Sequence, residues 1–460
     1  MSRFAVLGHA LTTACHISKI DTTMLGCVAR DEHSPNYFVS AGRALSDGNF
    51  HSNGNTRFDD KAPYAGKTPC GDSALTEGNM LPAMPLLCGA KLFTSLLVLQ
   101  ACARFGLPLD QTLADMLPAP LRQDLPDCVL PTTLAQLLAH THGLGGTMVE
   151  HASFAHDGYL DLTPGIAAVA HEGILHPPGR HYGYGVLGYL VLGHLLERLY
   201  HQRYADIVRE HLLAPLATPV LPPLSLSLPA CPASGRGLAV PLPWVTTLCQ
   251  HLLQDSLATT GIDYRLFRQI TRHPAPLPGW SMQIEASCLG WRHFGQQWYG
   301  HNGLDGGSLF WLRLNPERGL ALCLMAHTGT GNPGLLPACL FAQHYRELAL
   351  NPANQPAIDP GFHLQANLAL LGHYGSPCRD YHLFAHEGRV MLEISCATND
   401  SARVPKYRTW LYPAQHGLFY LARPWRRVVF VQLIPEPHTA EFALWDHDCL
   451  WPKQPHGRTV

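Results

Sequence analysis

Charge is what this 460-residue chain has least of: Asp, Glu, Lys and Arg make up 14% of it, against roughly 25% in ordinary soluble proteins. The two signs nearly cancel, leaving a formal net charge of −2. Without a basic surplus to neutralise phosphates or meet an anionic bilayer, neither nucleic acid nor a membrane is an expected partner. No run of 18 or more apolar residues occurs, so no membrane-spanning helix is expected. His-Glu-x-x-His and paired Cys-x-x-Cys spacings are missing too, and neither a metal nor another cofactor is expected. The start of the chain carries one basic residue and a short apolar run broken by His9, a poor signal peptide. Thr13-Ala14-Cys15 has the outline of a lipoprotein cleavage site, behind too short an apolar segment. The 14 cysteines are dispersed without a framework. That reads as free thiols in a reducing compartment, with a cytoplasmic location the expectation.

What is present begins with 46% hydrophobic residues, enough for a sizeable core, in a length that suits two to three domains. The 28 histidines scatter along the chain as a compositional bias. Residues 4–15 read as an amphipathic helix. Segments 23–29 and 37–41 read as strands joined by a hairpin loop over 31–36, and 42–80 as a long irregular insertion. From Cys88 onward Leu92, Leu96 and Leu99 recur at helical spacing in a nearly all-apolar segment, which predicts a buried helix. Asp110 is placed to cap a short helix, 132–144 reads as a capped helix ending at Gly143, and Pro177-Pro178-Gly179 as a turn before a helix marked by Leu187, Leu190, Val191 and Leu195. Residues 214–234 read as a surface excursion. Strands follow at 308–314 and 319–326, then a closing helix over 334–349. Period-two alternation (Val390, Leu392, Ile394; Leu418, Tyr420; Val429, Val431, Leu433; Phe442, Leu444) predicts a small antiparallel β domain at the end. Strands at both ends of the first 345 residues suit one sheet with a helical region inserted into it.

Lysine is scarce, at six residues, and one of them, Lys91, lies three residues beyond Cys88 at the head of the apolar helix. Positions i and i+3 share a helix face, so thiol and amine would point the same way. A nucleophile beside a nitrogen that can take its proton is a minimal activated pair. Gly183-Tyr184-Gly185-Val186-Leu187-Gly188 matches G-x-G-x-x-G, but the residues before it, His176-Pro177-Pro178-Gly179-Arg180-His181, cannot form the strand that dinucleotide binding requires.

Further motifs align with this pair. Cys88-Gly89-Ala90-Lys91 stands where the serine β-lactamase and penicillin-binding-protein superfamily carries Ser-x-x-Lys. Leu109-Asp110 and Leu117-Pro118 follow. Leu137-Leu138-Ala139-His140-Thr141-His142-Gly143-Leu144 is similar to Leu-Leu-x-His-x-Ser-Gly-Leu, with His142 for serine. After Pro178-Gly179, Tyr184-Gly185-Val186 resembles Tyr-x-Asn with the asparagine lost, ahead of Leu192-Gly193. His301-Asn302-Gly303, preceded by Leu289-Gly290-Trp291, resembles the His-x-Gly form of the third motif. The chain thus resembles the class C-like esterase branch of that superfamily, with cysteine in place of the nucleophilic serine.

The resemblance implies an α/β, β-lactamase/transpeptidase-like fold: an antiparallel sheet flanked by helices, a helical subdomain, and a C-terminal lipocalin-like β-barrel. The expected boundaries are 1–350 for the catalytic domain, 351–362 for a linker and 363–460 for the β domain. Cys88 would be the nucleophile and Lys91 its base or cationic partner. Tyr184 would shuttle the proton, and His301 would take the place of the third-motif lysine in orienting or polarising the substrate. The backbone N–H groups of Cys88 and Leu304 would form the oxyanion hole, and His142, Asn302 and Gly303 would bind substrate. A thiolate exchanges acyl groups with thioesters at little cost in free energy, and the product reacts readily with amines. The exchange of serine for cysteine therefore favours a biosynthetic transacylase or thioesterase. Its substrate would be a small acyl group on a carrier protein or coenzyme A, passed to an amine, an alcohol or water. The alternatives are a plain esterase or amidase and a non-catalytic binding protein on the same fold.

Overall fold

The computed structural model describes residues 22–30, 36–41, 83–123, 125–144, 159–216, 238–254, 261–279, 281, 284–305, 307–328, 337, 357–376, 379–396, 404–421, 430–435, 442–445 and 450–454. The expected helix at 4–15, the loop at 31–35, the insertion at 42–80, most of the excursion at 214–234, the closing helix at 334–349 apart from residue 337, and the linker at 351–356 lie outside the described residues.

In chain order, β1 (Thr22–Ala29) and β2 (Asn36–Ala41) form the expected antiparallel hairpin. β3 (Ala83–Pro85) pairs with β4 (Ala239–Pro241) in a two-stranded ribbon. Between these two lie the helices α1 (Ala90–Phe105), α2 (Leu134–Leu138), α3 (Thr163–Glu172) and α4 (Leu187–Tyr200). Then come α5 (Leu242–Leu253) and α6 (Tyr264–Thr271). The strands β5 (Pro274–Pro276), β6 (Ala286–Cys288), β7 (Trp291–His293), β8 (Tyr299–Asp305), β9 (Ser308–Asn315) and β10 (Leu320–His327) follow. The first sheet runs β2-β1-β10-β9-β8-β7-β6-β5. β1 therefore lies beside β10, as expected of one sheet interrupted by a helical region.

α1 is the axis of the core. Leu92, Phe93, Leu96, Leu97 and Leu99 are all buried, and Lys91, Thr94 and Ser95 are buried with them. Each such apolar side chain contributes about 1.5–3 kcal/mol. The stretch Leu87–Phe105 is long and apolar enough to cross a membrane, contrary to the reading of the sequence; packed among α4, α6 and the first sheet, it is the core helix.

Two local expectations change. The helix expected over 132–144 stops at Leu138. A reciprocal pair, Gln136 N to Thr133 Oγ1 and Thr133 N to Gln136 Oε1, starts it. His140, with φ +59, ends it by leaving the helical region. The cap of the short helix Leu113–Met116 is Thr112, paired with Asp115, rather than Asp110.

The second sheet is a meander in sequence order: β11 (Gly372–Ser376), β12 (Arg379–His386), β13 (Arg389–Cys396), β14 (Val404–Pro413), β15 (Leu418–Leu421), β16 (Phe430–Pro435), β17 (Phe442–Trp445) and β18 (Leu450–Pro452). A bridge between Tyr374 and Lys453 brings first and last strands together, so the sheet is nearly closed. Val390, Leu392, Val431, Leu433 and Leu444 fill its interior, as the alternation predicted. In β15 the register is the other one: Phe419 and Leu421 point inward, while Leu418 packs on Ala414. On β17 the outward pair, Ala443 and Trp445, packs against Tyr182 of the first region.

Candidate active site

The site begins in the backbone. Leu87–Gly89 is a 3-10 turn that leads into α1, and Leu87 holds φ +50. His140 (φ +59) and Leu289 (φ +44) are likewise left-handed without being glycine. Such residues cost about 1–3 kcal/mol each and persist where surrounding packing over-determines them. All three lie in the segments that carry the motifs. β8 passes so close to the turn that a Cβ on Gly303 would stand 2.6 Å from Leu87 Cβ and 3.0 Å from the Cys88 nitrogen. Only glycine allows this approach, which brings the expected oxyanion-hole residues Cys88 and Leu304 to the same place.

Cys88 is half-buried, whereas Cys27, Cys249, Cys288 and Cys323 are buried. Burial pushes the Cys249 and Cys288 thiols up to about 12 and Cys102 up to about 11, which leaves them inert. Lys91 is fully buried, its Nζ 4.7 Å from the Tyr184 ring centroid and 5.6 Å from that of Tyr189. Tyr189 is fixed by donating its hydroxyl to the Leu138 carbonyl at 2.9 Å. Burial, and then the Cys88 sulfur, push the Tyr184 phenol well above its ordinary value, against the Arg292 guanidinium, which pulls it down. Tyr184 is therefore a protonated phenol near neutral pH, able to give a proton rather than to take one first.

The third-motif residues divide. His301 is buried and lies 6.0 Å from the Tyr184 ring, centroid to centroid. Its Nδ1 stands 2.7 Å from the Asn302 carbonyl oxygen, which fixes Nδ1 as the donor and leaves Nε2 with its lone pair. Burial first, then Arg292 and Lys91, hold His301 well below the ordinary histidine value. It is held neutral, so the orienting or polarising role expected of it would run through a hydrogen bond and not through a positive charge. Side chains alternate along a strand, so Asn302 points away from the face on which His301 and Gly303 meet the turn. Its Oδ1 accepts from Arg313 Nη1 at 2.7 Å.

His142 was expected to bind substrate. It is instead fully buried: its Nδ1 accepts the Leu144 N–H at 3.1 Å, and its ring packs against Gly185 and Gly188. Burial and then His176 push it down to about 3. It holds its own loop, and a Cβ on Gly188 would stand 2.9 Å from the ring. The residue that reaches the site is His140, two positions earlier. Its ring lies 4.6 Å from Tyr184 and 5.0 Å from Tyr189, and its Nδ1 accepts the Gly185 N–H at 3.3 Å. Burial, then His142, Lys91, Arg292 and His301, keep it neutral.

Sequence reasoning also passed over Arg292. Its Cζ stands 4.7 Å from the Tyr184 centroid, where a cation over an aromatic ring gains about 0.5–2 kcal/mol. Its place, directly after Leu289-Gly290-Trp291, was the available signal. Lys91, Arg292, Arg313 and Cys88 are among the groups that act on Tyr184, His140 and His301. The described residues hold no group of His, Cys, Asp and Glu suited to a metal. Such an arrangement suits negative charge that develops on sulfur or on a tetrahedral oxygen.

A family profile described as Beta-lactamase matches residues 84–223. Penicillin-binding protein 4 of Amycolatopsis lactamdurans is 26% identical over 294 residues, which are 56% of this chain and 74% of that protein. The crystal structure of SurE with D-Leu superposes with a TM-score of 0.66 at 19% identity, covering 98% of this chain and 99% of that one. D-amino acid amidase from Ochrobactrum anthropi SV3, complexed with D-phenylalanine, gives a TM-score of 0.50 at 15% identity over 74% of this chain and 99% of its own. The likeness to SurE thus spans both sheets, and at these identities the structural likenesses concern the fold. The N-terminal part of the chain resembles the β-lactamase and penicillin-binding-protein superfamily in fold.

Proposed function

We propose that the chain is an acyl-transfer enzyme whose nucleophile is Cys88. The observation that carries this reading is the meeting of a half-buried thiol, a buried lysine and a protonated tyrosine. The Cys88 sulfur attacks the carbonyl carbon of a thioester donor, and its proton passes to Lys91. The carbon–sulfur bond of the donor breaks, Tyr184 protonates the departing thiolate, and Lys91 restores the proton to Tyr184. An amine, alcohol or water then attacks the acyl-Cys88 thioester and gives its proton to Nε2 of His301. Cys88 leaves as thiolate and takes the proton back from His301, which restores the thiol and the neutral imidazole. The Cys88 and Leu304 N–H groups hold the oxyanion, a contribution worth about 10²–10³ in rate per donor. The C-terminal rolled sheet is taken as a lipocalin-like module.

A second reading, hydrolysis of an ester or amide, is favoured by the likeness to a D-amino acid amidase. Together with the D-Leu complex of SurE, it points to a D-configured residue at the carbonyl side of the substrate in either reading.

Incubation with N-acetylcysteamine thioesters of N-acetyl-D-leucine and N-acetyl-L-leucine, read by intact mass, tests the proposal. An adduct on the wild type, stronger with the D form and abolished in Cys88→Ala, is the expected result. No adduct with either donor overturns it. Product analysis with and without an added amine separates transfer from hydrolysis.

A further inference from the structure

The first sheet places a second cation beside the tyrosine that the proposed chemistry uses. Arg292 lies in β7, and its register partner in β8 is Gly300, the residue before His301. The segment before it is held firmly. Ser95 Oγ of α1 donates to the Leu289 carbonyl at 2.5 Å. Gly290, at φ +94, lies so close to the Tyr189 hydroxyl that a Cβ there would stand 2.0 Å from its oxygen. Trp291 is buried against Phe267, ring centroids 4.9 Å apart. Arg292 is thus carried by a segment pinned to the helix that begins beside Cys88. Its guanidinium carbon and Lys91 Nζ each stand 4.7 Å from the Tyr184 centroid.

In the resembling superfamily the third motif supplies a lysine or a histidine. Here that position is His301, whose Nδ1 is spent on the Asn302 carbonyl. We propose that Arg292 is a positioning residue for the reaction at Cys88: from the neighbouring strand it supplies the fixed positive charge beside Tyr184 that His301 does not carry. The inference rests on the reading that Cys88 and Tyr184 perform the chemistry.

An arginine suits this task. It stays protonated in proteins, is more weakly hydrated than an ammonium, and its planar group lies well over an aromatic face. It can remain charged in a partly enclosed place where a histidine discharges. The groups facing Tyr184 are Cys88 and Lys91 from the turn and α1, His140, Tyr182 from its own loop, Arg292 from β7 and His301 from β8. Burial is the main cause of the state of Tyr184, His301 and His140; Arg292 opposes it at Tyr184, pulling that pKa down, and adds to it at both histidines. A single charge therefore acts on the proton donor of acylation and on the proton acceptor of deacylation together.

The test compares wild type, Arg292→Met and Arg292→Lys in acylation of Cys88 by the D-leucyl thioester, followed by intact mass across a range of pH, with thermal midpoints recorded for each. Loss of the charge raises the pKa of Tyr184, the acid in acylation, and of His301, the base in deacylation. In Arg292→Met the alkaline limb of the acylation profile and the acid limb of the deacylation profile, read as decay of the adduct in added amine, should therefore both move to higher pH, with acylation at neutral pH about 10²-fold slower. Arg292→Lys should return both limbs toward the wild-type position. Limbs that stay in place in Arg292→Met, whatever the rate, overturn the inference, because a merely structural loss lowers the profile without shifting it. Cys88→Ala run alongside separates the two claims. An adduct that survives in it sinks the reading of the site. A wild-type adduct confined to Cys88, with limbs unmoved in Arg292→Met, sinks the role of Arg292 alone.

Discussion

The two sheets are built on opposite plans. The second pairs each strand with its sequence neighbour, its interior is apolar, and no candidate catalytic residue lies in it. The first sets β1 beside β10 and brings residues near 88, 140, 184, 292 and 301 to one place, where Lys91 and Arg292 lie among buried histidines. A meander can be assembled from local contacts. The first sheet gains its site only after long loops have closed, and it keeps strained backbone there.

Four measurements bear on this contrast. The largest effect belongs to the first sheet's region: Lys91→Met should slow acylation of Cys88 by about 10²–10⁴-fold, the usual contribution of a positioned proton acceptor, as single-turnover mass spectrometry would record. A rate within tenfold of wild type would put Lys91 outside the chemistry.

Next come two substitutions within the second sheet. Leu392→Ala, in the interior, should cost about 2–5 kcal/mol in a urea melt and leave acylation per folded molecule unchanged. Trp445→Ala should cost about 3–5 kcal/mol and also slow acylation, since its ring lies 6.1 Å from that of Tyr182, two residues before Tyr184. Equal acylation in the two variants would show the sheets to be independent.

The third is a pH dependence of stability. Folded His142 is held down at about 3 from 6.5 by burial and then His176, so below 6.5 the unfolded chain binds a proton that the folded chain refuses. The stability tied to neutral His142 is whole above pH 6.5 and drains as pH falls toward 3, by up to about 1.4 kcal/mol per pH unit. His142→Ser should flatten that slope in urea melts, and an unchanged slope would place the cause elsewhere. The smallest effect is on the outside of the second sheet. His373 pairs with Asp380 at 3.0 Å in the open, and His373→Ala should shift stability by no more than about 0.5 kcal/mol.

The second sheet was legible because a strand facing a core on one side alternates, and Val390, Leu392 and Ile394 display it. Only β15 misled: Leu418, Phe419 and Leu421 are all buried, so its pattern has no unique phase. The joining of β1 to β10 could be read from the order of strands and helices. At the site, the spacing of Cys88 and Lys91 and the glycine at 303 were readable, because helix geometry and close approach leave marks in sequence. Arg292 was not, since its meeting with Tyr184 depends on how a neighbouring strand is pinned by Ser95 and Tyr189. The exchange of roles between His142 and His140 was hidden as well. It follows from one left-handed residue, and histidine bears no outward mark of that conformation.

The contact of Trp445 with Tyr182 also has a bearing on timing. The loop that carries Tyr184 emerges from the ribosome well before β17, and segments made first generally fold first. The surface on which this loop rests is therefore completed only when synthesis is nearly over. A nascent chain carries its thiol and its lysine long before the loop holding the tyrosine has its final support. On the proposed reading, competence at Cys88 becomes a late event, reached when the last strands have wrapped and docked.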